Sequence, residues 1–211
     1  MKGLLIKEMI TNIKNNKFSL LIIPVFAAIG LLNKQNMFLM IIPVLLSILP
    51  LGQMSYDEMS HWDKYVYCMP VNKKTIVSSK YITVVIMSVF SAVIIGLILL
   101  VAEHNTPNVF KEMLLMSAIA LLIGTFVPCI SLPINYKFGT TKGRIIYLII
   151  VAIFCGVVPT TFLSNSKILT EKAAKLLSEP VLFCAVSIGV LAVMLIVSWF
   201  ISIKIYETKE A

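Results

Sequence analysis

Apolar residues in this chain come in long runs separated by short polar or charged stretches. The first runs cover 18–32 and 37–52, divided by Asn33, Lys34, Gln35 and Asn36. Four longer runs follow, over 81–102, 113–134, 145–163 and 181–203. A helix crossing a hydrocarbon core needs about 20 apolar residues, so the four longer runs predict transmembrane helices. The first two runs are shorter. The first lengthens if the helix upstream continues into it, and the second spans if the bilayer thins locally. A re-entrant hairpin is the competing reading of 18–52.

The pattern thus predicts an all-α polytopic membrane protein forming one transmembrane domain over 1–211. Its parts are an N-terminal amphipathic helix (1–17), spans one and two (18–52), a polar segment (53–80), spans three to six (81–203) and a tail (204–211).

Composition removes the alternatives. Hydrophobic residues make up 59% of the chain and charged residues 13%, with a mean hydropathy of +0.95. A soluble domain has roughly 45–50% and 25%, and no soluble fold of this size hides such an excess. Disorder requires the opposite balance. The net charge of +8 does not point to nucleic acid, because basic residues flank membrane spans on the cytoplasmic side. With six spans, 13 of the 18 Lys and Arg fall on the side holding the N-terminal stretch, 53–80, 135–144 and the tail. The remaining 5 fall opposite. This bias predicts that both termini are cytoplasmic. No cleavable signal is expected, since no small-residue cleavage site follows the first run.

Candidate chemistry is sparse. No Asp, Glu, Lys, Arg or His lies in the middle of a run, which argues against a transporter with a buried proton-relay carboxylate. There is no H-E-x-x-H, and the two histidines, His61 and His104, lie outside the runs. Gly139-Thr-Thr-Lys142-Gly-Arg144 lacks P-loop spacing, so the chain is not expected to be an enzyme or to bind ATP itself. The cysteines, Cys68, Cys129, Cys155 and Cys184, form no C-x-x-C pair, and no disulfide, metal site or other resident cofactor is expected. Pro24, Pro43, Pro128 and Pro159 are candidate helix hinges, because a proline inside a helix removes one backbone hydrogen bond.

The informative segment is 53–80. Met59, Trp62, Val66 and Met69 recur at helical spacing, which predicts one apolar face of a short helix ended by Pro70. Asp57, Glu58, Asp63 and Lys64 fall largely on the other faces. Asn72 is positioned to cap the next helix, which runs into span three. An interfacial helix on lipid headgroups is one reading of this segment, with Trp62, Tyr65 and Tyr67 as interface aromatics. A docking helix for a cytoplasmic partner is the other, and its three acids favour it, because anionic headgroups attract basic faces.

The string Tyr56-Asp57-Glu58, Trp62-Asp63-Lys64-Tyr65, Met69-Pro70-Val71-Asn72-Lys73-Lys74, Val77 and Lys80-Tyr81 resembles a signature of small bacterial permeases of the type-2 ABC transporter family, including those similar to phenol-soluble-modulin exporters. The resemblance implies a cell-membrane permease subunit that exports an amphipathic peptide or other hydrophobic compound. It implies a separate ABC ATPase subunit, which would hold ATP and Mg, and a second permease chain in a homo- or heterodimer. It further implies that 53–80 carries a coupling helix seated on the ATPase, with Asp57, Glu58, Trp62, Asp63, Lys64 and Tyr65 as coupling residues and Trp62 as the buried anchor. The N-terminal helix, with Leu4, Leu5, Met9 and Ile13, would lie along the membrane surface. An outward helical excursion is implied over 159–179. Rival expectations are a non-transporting sensor or immunity module that holds an ATPase, and an ATP-independent channel or flippase.

Overall fold

The computed structural model describes residues 2–33, 39–67, 72–102, 109–143 and 180–208, together with Ile145 and Ile149; the expected fifth span (145–163), the excursion at 159–179, Pro159, Met69 and Pro70 otherwise lie outside them. Among the described residues every regular element is a helix. They are α1 (Lys2–Asn15), α2 (Lys17–Asn33), α3 (Ile41–Met59), α4 (Trp62–Tyr67), α5 (Lys73–Ala102), α6 (Val109–Phe138) and α7 (Pro180–Thr208).

The helices α5, α6 and α7 are long and apolar enough to cross a membrane. At 1.5 Å per residue, each spans roughly 45 Å, enough to pass through the hydrocarbon and emerge at both ends. α2 carries a shorter apolar stretch over Leu21–Leu31. α3 begins apolar and ends in Asp57 and Glu58. Six spans were expected; three such helices and this shorter one are what the described residues contain.

The bundle is built around α6, which packs against α3, α5 and α7. Its buried face is mostly small: Ala118, Ala120, Gly124, Thr125, Cys129 and Ser131. Lipid supplies little hydrophobic drive between helices, so close backbone approach and interhelical hydrogen bonds must hold them. Gly124 shows the first effect, since a Cβ there would stand 3.2 Å from Ser88 Cβ on α5. Tyr81 shows the second, its hydroxyl meeting Ser198 Oγ at 2.6 Å and Ser202 Oγ at 2.7 Å on α7. The Trp199 indole N–H donates to Ser78 Oγ at 3.0 Å. Outward faces are apolar, including Val89, Phe90 and Leu97 on α5 and Val193, Val197 and Phe200 on α7.

Pro24, Pro128 and Pro133 lie inside helices. Pro50 does so in α3, whereas Pro43 sits in the first turn of that helix, where proline removes no intrahelical bond.

One end of the bundle gathers elements that are far apart in sequence. Glu58 at the end of α3 accepts hydrogen bonds from the Thr140 N–H at 2.8 Å and from its hydroxyl. Tyr136 and Tyr206 stack edge-on with centroids 5.4 Å apart, and Lys74 faces Glu207 at 3.9 Å. The end of α3, the start of α5 and the ends of α6 and α7 therefore meet together.

Candidate functional site: a charged hub beneath a short exposed helix

The described residues of 53–80 are almost wholly helical, but they do not form one helix. α3 runs through to Met59. Ser60 caps it with its N–H on the Tyr56 carbonyl, and His61 takes the left-handed conformation at φ 51°. A single non-glycine residue in that region redirects the chain without continuing the helix. α4 then starts on a new axis.

This break corrects the expected apolar face. Met59 is 79% exposed while Val66 is only 3% exposed, so the two do not share a face, although their spacing is helical. Trp62 is half-buried and packs against an internal cluster that includes Val66, Tyr81 and Tyr136. The Lys7 ammonium stands 4.1 Å from its ring centroid, a distance at which the ring quadrupole attracts a cation. Trp62 thus anchors α4 to its own protein. Among the described residues of this stretch, the exposed large apolar side chains are Tyr56, Met59 and Tyr65. Asp63 and Lys64 lie within α4.

The carboxylates are also engaged internally. Asp57 takes Lys7 on one oxygen and Lys80 on the other. Lys80 also reaches Glu8 at 2.8 Å on Oε1 and 3.0 Å on Oε2, and Lys7 stands 3.8 Å from Glu8 Oε1. Two cations and two anions from α1, α3 and α5 thus form a neutral cluster, with α4 joined to it through Trp62. The Glu8 side chain is 3% exposed and that of Lys80 6%. Isolated burial of either charge would be prohibitive, and mutual pairing is what permits it.

The cluster changes the picture of α1. Glu8 and Asn12 are buried on its inward side, where Met9 also packs against the apolar core, while Ile6, Ile10 and Ile13 form an outward apolar stripe. No motif in the sequence marks Glu8, and Lys80 is marked there only as part of the family-like string.

Beside the hub lies a cavity of about 70 Å³ lined by Met54, Asp57, Lys80, Asn135, Tyr136 and Thr140, among others. Its walls mix apolar side chains such as Met54 and Ile76 with polar groups from Asp57, Lys80 and Asn135. Among the described residues, no group of His, Cys, Asp and Glu is arranged to hold a metal ion.

No curated protein and no solved structure matches the chain. A family profile described as ABC-2 family transporter protein matches residues 3–207, nearly its whole length. On that match, and consistent with its long apolar helices, the chain belongs to the ABC-2 transporter family.

Proposed function

We propose that the chain is the transmembrane permease subunit of an ATP-driven exporter. It lies in a bacterial cell membrane with six spans and cytoplasmic termini, and pairs with a second permease chain and two ATPase subunits. The observation that carries this reading is the exposed surface of Tyr56, Met59 and Tyr65, at the end where the most basic segments meet. Such exposed aromatic and methionine residues, at the end of α3 and on α4, suit a protein partner, since interface cores are enriched in them. Family membership supports an ATPase as that partner. The cargo best matched by spans without mid-run charges is an amphipathic peptide or a hydrophobic compound, for which no buried counter-charge is needed.

In this reading ATP closes the ATPase pair, which displaces the docking segment and shifts the spans between two packings. Trp62 holds the segment on the permease while Tyr56, Met59 and Tyr65 meet the partner. Reconstitution tests it: proteoliposomes holding the chain and its ATPase should accumulate an amphipathic peptide only with hydrolysable ATP. Peptide movement by the chain alone would instead favour an ATP-independent channel, and ATPase binding without movement a sensor module.

A further inference from the structure

We propose that Glu8 and Lys80 are positioning residues for the docking segment. They fasten α1 to the ends of α3 and α5, so that α1 and the docking segment move as one body. The proposal rests on the functional reading above, which supplies the force.

The cluster is poorly explained as a stabilising device alone. Replacing a buried ion pair with well-packed apolar residues is often neutral or stabilising, whereas removing one partner is costly. What a buried charge cluster supplies is a single permitted register, because any slip leaves a charge unpaired. This register joins four helices. Glu8 and Lys7 come from α1, Asp57 from α3, Lys80 from α5, and Trp62 of α4 lies under Lys7.

Met9 packs α1 against an apolar core cluster, but the neighbouring seam with α3 also buries polar groups. A Cβ on Gly52 of α3 would meet the Oδ1 of Asn16, the residue after α1, at 3.8 Å. With Lys7 on Asp57, α1 therefore runs antiparallel to the end of α3, and Asn12 on α1 and Gln53 on α3 lie in sequence between these two contacts. Both are almost wholly buried, and neither amide has a hydrogen-bond partner. Buried amides without partners oppose association. The ion cluster is thus the specific fastening of this seam, and it sits directly behind Trp62.

Paired spin labels test the proposal in the reconstituted complex with its ATPase. One pair joins α1 to the docking segment (Asn15→Cys and Ser60→Cys), and a reference pair joins α1 to the end of α7 (Asn15→Cys and Thr208→Cys). ATP with vanadate should shift the reference distance and leave the Asn15–Ser60 distance unchanged. Glu8→Gln, which keeps the side-chain volume and an acceptor, should let the Asn15–Ser60 distance broaden and shift with ATP, while Lys80→Arg retains the wild-type response. Lys80→Met should act as Glu8→Gln does; its misfolding would leave the Gln variant to decide. A wild-type Asn15–Ser60 distance that moves with ATP overturns the proposal alone, as does an unmoved one in Glu8→Gln. Failure of the ATPase to bind the wild-type chain overturns the functional reading together with it.

Discussion

Lys80 makes contacts 72 residues back along the chain, to Glu8, and 23 residues back, to Asp57. No local pattern announces such a role. By sequence it is one more cation beside an apolar run, and Glu8 is one acid in an amphipathic helix. Burial of a charge is decided by distant partners, so this part of the site was illegible in the sequence. Asp57 and Trp62 were legible as important residues, but not in the direction they face. The cluster makes a stability prediction. Lys80→Met leaves two carboxylates with Lys7 alone and should cost about 3–5 kcal/mol. Glu8→Met combined with Lys80→Met leaves the neutral Lys7–Asp57 pair and should cost less than the single change. Thermal unfolding in detergent, followed by tryptophan fluorescence, compares them. A second prediction concerns the turn after α6. A Cβ at Gly143 would lie 2.0 Å from Asn135 Oδ1, so Gly143→Ala should lower the midpoint of the same unfolding curve. Gly139→Ala should lower it too, because φ there is +80° and the new methyl would crowd Glu58.

At the scale of elements, the apolar runs located α2, α5, α6 and α7 well. They missed how far the second run's helix continues beyond the apolar stretch: α3 runs on to Met59. Hydropathy reports the thickness of hydrocarbon, while helices end where backbone capping allows. Asn72 was legible as the start of α5, its carbonyl accepting from the Thr75 N–H at 2.9 Å. The break at His61 was not, since nothing in Ser60-His61 demands a left-handed residue. It follows that Tyr65, 67% exposed, is the better candidate for the aromatic anchor. Tyr65→Ala should weaken ATPase binding by roughly 2 kcal/mol, about thirtyfold, as interface hot spots do. Trp62→Ala should chiefly lower the unfolding midpoint of the permease itself. Titration of the labelled ATPase against each detergent-purified variant separates the two effects.

The whole molecule gathers the start of α5 and the ends of α3, α6 and α7 at one end, with α1 fastened there by Lys7 and Glu8. The charge count groups the same segments on one side of the membrane, and the proposed reading takes that side as cytoplasmic on the positive-inside rule. Cysteines at Ser60 and Thr140 should therefore resist a membrane-impermeant maleimide in intact cells, while one at Asn105 should react. Binding of an ATPase at that end is the central claim, and the most direct measurement is affinity purification of the tagged chain co-expressed with its ABC-type ATPase. The account predicts a complex of equal stoichiometry that hydrolyses ATP, reduced at least tenfold in recovery by Met59→Ser with Tyr65→Ser, a loss of about 1.4 kcal/mol or more. A wild-type chain that purifies without the ATPase, or a double variant that retains it fully, would contradict the account.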